Sequence, residues 1–499
     1  MPENSWRESD LSNDLQSNLP NSLPNNPTKL PTNTSLGSER PELFSEPPSE
    51  SGNSLHGQGR RRKAAIALTA IWSSTIALHL FAWGYWLVLG LTTVMGIHAL
   101  RLVFARSVAL PDPLSGGDPE DYPYVSLMVA AKNEEAVVRS LVQDLCNLDY
   151  PASRYDLWII DDASTDRTPL LLDRLAQEYQ QLNVVHRLPN SGGGKSGALN
   201  QVLPLTQGDI IAVFDADAHV PSNLLRQVVP MFQRSQLGAV QVRKAIANAT
   251  TNLWTRGQEA EMALDSFIQQ RRIALGGIGE LRGNGQFVRR SALERCGGWN
   301  EETITDDLDL TVRLHLDQWD IDLLMHPAVG EEGVTRAVGL WHQRNRWAEG
   351  GYQRYLDYWR LIAQNRLGTR KTVDLFLFWM TQYVLPTAAV PDFLMAIVRS
   401  SSPMLLPVTS LTVTLSMLGM FVGMRRARMV GEGRRKRIPL SVLMTLIHTA
   451  FGAFYMLHWI PVMASTTARM SIRPKRLKWV KTVHQGSNEV WLDMVQDEV

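Results

Sequence analysis

The sequence predicts an α/β domain with a Rossmann-like sheet, flanked on both sides by α-helical transmembrane segments. Two observations indicate this fold class. Between residues 120 and 350, short apolar runs alternate with helical patterns, as parallel βαβ units require. Before and after this region lie long stretches without Asp, Glu, Lys or Arg, which is typical of segments that cross a bilayer.

Composition excludes several other classes of protein. The chain has 499 residues, with 50 Lys and Arg against 49 Asp and Glu, so its formal net charge of +1 gives no field that would attract nucleic acid. Its two cysteines, Cys146 and Cys296, are too few for a disulfide framework and have no neighbours at zinc-ligand spacing. A disulfide-stapled domain and a structural zinc module are therefore excluded.

The N-terminal part changes character at residue 60. Residues 1–59 are rich in Ser, Asn and Pro and are predicted to be a disordered tail, because they cannot bury a core. Residues 60–107 are predicted to be a transmembrane hairpin, since one helix over the uncharged run 64–100 would be about 55 Å long, nearly twice the ~30 Å hydrocarbon core. The turn is expected at residues 83–86, and basic residues at both ends place them in the cytoplasm.

Three more uncharged stretches predict a C-terminal transmembrane region at residues 374–465, after a juxtamembrane helix at 351–373. Basic residues at 425–437 indicate a cytoplasmic loop before the last stretch. One further crossing would then place the tail, residues 466–499, outside, although its own Lys and Arg residues predict the cytoplasm. Two interpretations stay open: the segment from residue 438 is kinked, re-entrant or interfacial, or the charged tail is translocated.

The region from residue 120 to 350 is predicted to be a separate α/β domain. Its strands are nearly continuous apolar runs, as strands that are buried on both faces require. Ligands of such sheets bind at the carboxyl ends of the strands. The predicted elements are strands at 125–131, 155–160, 184–185 and 209–214, and helices at 134–148, from 167 onward, and at 196–203.

Two acidic motifs follow predicted strands. Asp161 and Asp162 come directly after the second strand, where they either cap the next helix or accept hydrogen bonds from a base or a ribose. Asp215 and Asp217 end the strand at 209–214 and would repel each other unless a cation or hydroxyl groups lie between them. A divalent cation that also binds diphosphate oxygens would satisfy the second pair.

A glycine-rich segment at residues 190–196 places three glycines before Lys195. It lacks the first glycine of a P-loop, because Pro189 stands in that place, so an NTPase loop is excluded. Two interpretations remain. The segment is a flexible loop before a helix, or its backbone and Lys195 approach a phosphate at the N-terminus of that helix.

Two further motifs lie later in the chain. Asp306 and Asp307 open a helical pattern, either as caps or with one of them as a general base for an incoming hydroxyl group. Gln343, Arg346 and Trp347 share one helical face. That face is either a basic and aromatic collar at a membrane surface or a site that holds a diphosphate and packs against a sugar.

In this order, the motifs resemble those of the membrane-integrated, inverting glycosyltransferases of family 2, which include cellulose, chitin and hyaluronan synthases. The resemblance rests on the Asp161–Asp162 pair and on GGGKSGALN, FDADA, GNGQFVRRSAL, TDDLDL and QRNRW, and it covers residues 120–350 and the flanking segments. It implies a cytoplasmic domain with the GT-A fold. The whole chain is most similar to the cyanobacterial members that make a glucolipid from UDP-glucose and diacylglycerol.

The resemblance implies a nucleotide-sugar site built from the first three motifs. Asp161 or Asp162 would contact the uridine, and Lys195 would lie near the nucleotide. Asp215 would bind the ribose or a metal ion, and Asp217 would bind the metal. The expected cofactor is Mg²⁺, with Mn²⁺ as the alternative.

The resemblance also implies where catalysis takes place. Asp307 would be the catalytic base, and Asp306 stands where the family more often has Glu, a change that keeps the charge. Gln343, Arg346 and Trp347 would hold the diphosphate and the acceptor.

The implied function is transfer of glucose from UDP-glucose to 1,2-diacylglycerol with inversion, by a multi-pass membrane protein. Basic clusters at 60–63 and 425–437 would contact anionic membrane lipids. Two alternatives stay open. One is a processive polysaccharide synthase that uses a UDP-sugar, for which about five spans are few, and the other is a non-catalytic membrane sensor of sugar nucleotides.

Overall fold

The computed structural model describes residues 59–116, 118–431 and 438–472. The predicted disordered tail, the basic residues at 434–437 and most of the basic C-terminal tail lie outside the described residues. Within them, a seven-stranded sheet with helices on both faces is joined to a group of long apolar helices. The predicted fold class, an α/β domain flanked by apolar helices, is confirmed.

Seven strands form one mixed sheet. They are β1 (Val125–Ala131), β2 (Tyr155–Asp161), β3 (Leu182–His186), β4 (Ile210–Phe214), β5 (Leu237–Ile246), β6 (Gln286–Arg289) and β7 (Asp320–Glu331). The order is β3-β2-β1-β4-β6-β5-β7. The strands β1 to β4 are parallel to one another, as the alternating pattern predicts. The strand β6 is antiparallel to both β4 and β5, which the sequence pattern does not predict.

The helices, in chain order, are α1 (Arg60–Leu80), α2 (Gly84–Phe104), α3 (Val138–Cys146), α4 (Thr168–Glu178), α5 (Gly194–Val202), α6 (Leu224–Val228), α7 (Leu253–Ala274), α8 (Arg290–Arg295), α9 (Asp306–Leu316), α10 (Ala337–Ala363), α11 (Thr369–Trp379), α12 (Leu385–Val398), α13 (Leu406–Gly431), α14 (Ile438–Tyr455) and α15 (Trp459–Ile472). The helix expected at 134–148 begins four residues later, at Val138. The helix α10 runs through the expected boundary between residues 350 and 351.

Each face of the sheet carries its own apolar core. Val129 of β1 packs in a fully buried cluster with Leu141 of α3, whereas its neighbour Met128 packs on the other face with Leu199 of α5 and Leu310 of α9. Successive side chains of a strand point to opposite faces. Because both faces are covered, β1 has the continuous apolar sequence that predicts it.

Five helical segments are long and apolar enough to cross a membrane. They are Arg60–Leu80, Gly84–Phe104, Thr369–Val398, Leu406–Ala427 and Val442–Ile472. The first two are joined by a short turn at residues 81–83, so residues 84–86, which were expected in the turn, belong to α2. The third combines α11 and α12 through a π-helical turn, Met380–Val384.

The last apolar segment is broken at Met456–His458 into α14 and α15. At this break, the Tyr455 hydroxyl and Trp459 Nε1 donate to the two carboxylate oxygens of Glu261 on α7, at 3.2 and 2.8 Å. At the other end of α15, the carbonyl of Ser471 accepts a hydrogen bond from Arg61 at the start of α1 (3.3 Å). Since α1 also binds α10 there, through Arg60 and Asp357, both ends of α15 lie beside the α/β domain.

Candidate active site

The carboxylates after β2 and β4 lie at one edge of the sheet. Asp161 is the last residue of β2, and Asp215 directly follows β4. Only β1 lies between these two strands in the sheet. Because β6 is antiparallel, the turn Gly283–Gly285 that precedes it lies at the same edge. The side-chain oxygen of Asn284 in this turn accepts a hydrogen bond from the backbone N–H of Asp215 (3.3 Å). The reversed strand thus fixes the position of the Asp215–Asp217 motif.

Lys195 lies at the start of α5 and forms an ion pair with Asp215, with 2.5 Å between Nζ and Oδ1. Burial favours the neutral amine, but the carboxylates of Asp215, Asp306 and Asp307 outweigh burial and raise the pKa of Lys195. The same interactions place Asp306 and Asp307 close to the Asp215 motif. The structure therefore brings three predicted motifs around one ammonium group.

The glycine-rich segment is held by a residue that sequence reasoning missed, Arg187. Gly192, Gly193 and Gly194 have φ angles of 72°, 66° and 55°, a left-handed run that side chains disfavour. The buried guanidinium of Arg187 donates to the carbonyls of Gly192 (2.8 Å) and Gly194 (3.3 Å) and also pairs with Asp162. These bonds favour a fixed backbone arrangement over a flexible loop.

Asp161 and Asp162 have different surroundings. Asp161 is buried, accepts the backbone N–H of Ser164 (3.0 Å) and lies 2.9 Å from His186 Nδ1. Asp162 is partly exposed, pairs with Arg187, and its carbonyl accepts a hydrogen bond from Lys132 Nζ (2.7 Å). Asp161 thus holds its own turn together, whereas Asp162 presents its carboxylate at the sheet edge.

Asp306 and Asp307 form the first turn of α9. Burial raises the pKa of Asp307 to about 6, and the charge of Asp306 adds to this effect, whereas the N–H of Leu308, Lys195 and Lys244 oppose it. Within the described part of the chain, the buried Oδ2 of Asp306 has no hydrogen-bond partner. Thr305 stands at the N-cap position without a side-chain cap hydrogen bond, and Asp307 Oδ1 accepts the N–H of Leu308 (2.8 Å). A carboxylate that titrates near pH 6 is suited to act as a general base.

A second cation, Lys244 on β5, also faces this site and was missed by sequence reasoning. Its Nζ lies 3.0 Å from Glu331 Oε2 and 5.3 Å from the ring centroid of Trp347. Burial lowers its pKa, but Glu331, Asp215 and Asp307 reverse this and raise it. The only sequence signal is a pair of adjacent basic residues, Arg243 and Lys244, near the end of a largely apolar strand, and that alone does not indicate a site.

The three predicted residues of QRNRW differ in their contacts. Burial lowers the pKa of Arg346, and the carboxylates of Asp215, Asp307 and Asp306 act in the opposite direction. The influence of these carboxylates shows that the guanidinium faces the acidic motifs. Gln343 Oε1 accepts a hydrogen bond from Arg344 (2.6 Å), and the ring centroid of Trp347 lies 4.0 Å from the same guanidinium. Arg346 and Trp347 therefore line the site, and Gln343 is tied to Arg344.

Arg344, which the motif analysis passed over, is a structural residue. Its side chain is fully buried and pairs with Glu261 on α7, and it lies 3.3 Å from the Tyr455 hydroxyl at the end of α14. Arg344 thus links the α/β domain to the C-terminal helices.

The donor set fits a divalent cation that shares its ligands with a substrate. Among the described residues, no group of three or more His, Cys, Asp and Glu side chains could hold a metal on its own. Mg²⁺ is commonly bound by one or two carboxylates together with phosphate oxygens and water. Asp215 and Asp217 match that pattern, and Asp217 is oriented by the backbone N–H of Glu332 (3.0 Å).

Comparisons with known proteins agree with these motifs. The family described as glycosyltransferase like family 2 matches residues 123–350, which include every strand of the sheet. A beta-monoglucosyldiacylglycerol synthase from Trichormus variabilis is 60% identical over 98% of this chain and 100% of that protein. One from Synechocystis sp. is 58% identical over 88% of this chain and 91% of its own length.

More distant similarities are found as well. The probable glycosyltransferase YdaM of Bacillus subtilis is 30% identical over 53% of this chain and 64% of that protein. A solved structure, mannosyltransferase PcManGT from Pyrobaculum calidifontis in complex with GDP-Man and Mn²⁺, is 20% identical and covers 80% of this chain and 99% of its own, with a TM-score of 0.48. The high identity to the synthases over nearly the whole chain confirms the resemblance that the motifs carry: this chain is a glycosyltransferase and belongs to family 2.

Proposed function

We propose that the protein transfers glucose from UDP-glucose to the free hydroxyl group of 1,2-diacylglycerol, with inversion, to give a β-monoglucosyl lipid. The observation that carries this proposal is the arrangement of Asp307, with its raised pKa, beside Lys195 and Arg346 in a domain joined to apolar helices. The names of the relatives that are 58–60% identical support the sugar and the acceptor.

The reaction is a single displacement. Asp307 takes the proton of the acceptor hydroxyl while that oxygen attacks the anomeric carbon of glucose. The bond from this carbon to the β-phosphate oxygen breaks, and UDP leaves with the electron pair. One attack from the face opposite the leaving group inverts the anomeric configuration, so no nucleophilic side chain is needed.

The surrounding residues bind the donor. Asp162 contacts the uridine, and Asp161 holds the turn that presents it. Lys195 and Arg346 are placed to balance the negative charge of the diphosphate, as charge-assisted donors do. Trp347, supported by Gln343 and Arg344, packs against the sugar or the acceptor.

Asp217 and Asp215 would hold the divalent cation, Mg²⁺ or alternatively Mn²⁺. When bound, the ion neutralises charge that develops on the departing diphosphate. Asp306 Oδ2, buried and without a described partner, adds a further oxygen near this position. We infer that Asp306 also supports the base, because the charge of Asp306 raises the pKa of Asp307.

We orient the protein by the positive-inside rule, which puts the catalytic domain on the cytoplasmic side of the membrane. Because both ends of α15 contact the domain side, the broken segment α14–α15 is proposed to be re-entrant or interfacial, which leaves the charged tail in the cytoplasm. Of the basic cluster at 60–63, Arg60 pairs with Asp357 and Lys63 donates to the carbonyl of Leu356. Arg62 is exposed and remains for anionic lipids, whereas the exposed Arg61 also donates to the carbonyl of Ser471.

The rate should depend on pH through Asp307. Since the base must be ionised and its pKa is raised to about 6, kcat/KM should fall about tenfold per pH unit below about pH 6. Lys244 opposes the rise in this pKa, so Lys244→Met should move the acidic limb to higher pH. Rates measured from pH 5 to 8 test this. An acidic limb that keeps its position in Lys244→Met would contradict the role of Lys244.

Arg187→Lys should weaken donor binding more than turnover. A lysine cannot serve the carbonyls of Gly192 and Gly194 and the carboxylate of Asp162 at once, because it lacks the planar fork of arginine. We expect KM for UDP-glucose to rise about tenfold with a smaller change in kcat. Arg290→Lys serves as the control, because the Arg290 guanidinium donates instead to the Gly208 carbonyl and the Thr206 hydroxyl just before β4. Equal KM values in both variants would contradict the assignment.

Donor choice is tested with membranes that contain the protein. Labelled UDP-glucose and UDP-galactose are supplied separately, and lipids are extracted and separated by thin-layer chromatography. We expect label in a lipid of monoglycosyl mobility from UDP-glucose and little from UDP-galactose. The reverse preference would refute glucose as the sugar, and label in a water-soluble polymer would favour a polysaccharide synthase.

A further inference from the structure

An exposed apolar surface lies where the first turns of α7 and α10 meet the corner between α14 and α15. The side chain of Gln258 on α7 binds both the N–H (3.0 Å) and the carbonyl (2.8 Å) of Val334, just before α10. Val334, Leu340 of α10 and Tyr455 at the corner form one buried cluster. A Cβ on Gly257 would lie 2.3 Å from the Tyr455 ring, so α7 and the corner are in close contact.

Large apolar side chains around these contacts are left exposed. Their exposed fractions run from 40% for Trp341 to 73% for Phe454. Two lie on each of the three elements, and together we name them the apolar rim: Leu253, Trp254, Val338, Trp341, Phe454 and Leu457. Soluble surfaces rarely gather so many large apolar groups, which marks a place of interaction.

The bilayer is the occupant that the neighbouring surfaces indicate. Leu443, Ile447 and Phe454 are exposed at helical spacing on α14, which is part of a candidate membrane span, so the rim continues an apolar face of that span. Two arginines on the same helix starts are exposed: Arg256 comes two residues after Trp254, and Arg336 is the N-cap of α10, five residues before Trp341. Tryptophan with flanking arginine is typical of the boundary between head groups and acyl chains.

The rim is also close to the reaction centre. Trp341 and Trp347 lie on the same helix, six residues or about 9 Å apart along its axis. We propose that the apolar rim inserts into the leaflet on the catalytic side and is the place where a lipid acceptor passes from the bilayer to Asp307. The second half of this statement rests on the proposed function, whereas insertion of the rim does not.

Insertion is tested with a fluorescent label at Val338. Both native cysteines are buried, so Val338→Cys provides a single exposed thiol for an NBD dye. The matched control is Leu170→Cys, because the side chain of Leu170 is 64% exposed. Leu170 lies on α4, which packs against β3 and α3, at the opposite edge of the sheet from β7. The full chain is placed in vesicles of phosphatidylcholine with phosphatidylglycerol as the minor component, with and without doxyl-labelled lipid.

We expect a blue shift and strong quenching by doxyl lipid at position 338, and neither at position 170. Equal quenching at both positions, or none at 338, would overturn the proposal. This measurement needs no turnover, so it stands even if diacylglycerol is not the acceptor.

Passage of the acceptor is tested with the double variant Trp254→Ser/Trp341→Ser. KM for long-chain diacylglycerol in vesicles should rise several-fold, while KM for UDP-glucose stays unchanged. For a short-chain acceptor that is soluble in water, the double variant should have the same KM as the wild type. An unchanged KM for the long-chain lipid in a folded variant would overturn the entry role. Failure of the wild type to glucosylate diacylglycerol would instead refute the proposed function.

Discussion

Replacing Asp307 with Asn is expected to lower the rate of glucosyl transfer by about 10²–10⁴-fold, the usual range for loss of a general base. Asparagine keeps the shape of the side chain and can still accept the N–H of Leu308, so α9 should be preserved. It cannot take a proton from the acceptor. UDP binding, measured by calorimetry, should therefore be retained while lipid product disappears.

The control for this variant lies at the opposite, C-terminal end of the same helix. Asp317→Asn removes a carboxylate that closes α9 and pairs with an exposed arginine, Arg295. The Arg295 side of this pair is half exposed, and the asparagine oxygen can still accept the hydrogen bond from Trp319 Nε1, so this variant should fold and turn over at nearly the wild-type rate. A near-normal rate in Asp307→Asn would refute its assignment as the base.

Arg344→Met and Arg346→Met should fail for different reasons, although the two residues stand two positions apart. Arg344 is fully buried against Glu261 and Tyr455, and its loss leaves a buried carboxylate without its cation. Removing one partner of such a pair typically costs about 3–5 kcal/mol of stability. Arg346→Met should stay folded, since burial already disfavours its charge, but should lose about 10²-fold or more in rate through the diphosphate.

These two variants are separated by thermal unfolding in detergent together with the initial rate. The expected pattern is an early unfolding transition for Arg344→Met and a wild-type transition with little activity for Arg346→Met. The opposite pattern would mean that the two arginines have exchanged roles, and the site would need to be rebuilt around Arg344.

The sequence predicts those parts of the fold that depend on local pattern. β1, β2 and β4 are nearly continuous apolar runs, and the acidic motifs stand at the ends of β2 and β4, so the edge of the sheet with Asp161 and Asp215 follows directly. The reversal of β6 does not follow, because its direction is set by pairing with β4 and β5, which lie far away in the chain. Because the sequence does not predict that reversal, it also does not predict that Asn284 lies beside Asp215.

The site was predicted where several residues share a motif and was missed where one residue acts alone. Arg187 and Lys244 have no characteristic spacing, and each acquires its partners only when distant segments meet. The motif QRNRW also contains two functions on nearly opposite helix faces, since Arg344 turns toward α7 and Arg346 toward the carboxylates. Spacing places i and i+2 on different faces, but it does not tell what packs against each face.

The central claim is tested most directly by product analysis with purified protein in vesicles that contain 1,2-diacylglycerol. After incubation with UDP-glucose and Mg²⁺, the lipid extract is examined by NMR, with Asp307→Asn as the control. The account predicts release of UDP matched by one glucosyl lipid whose anomeric proton shows the β configuration, and none from the control. An α-linked lipid, a soluble polymer, or UDP release without a lipid product would contradict it.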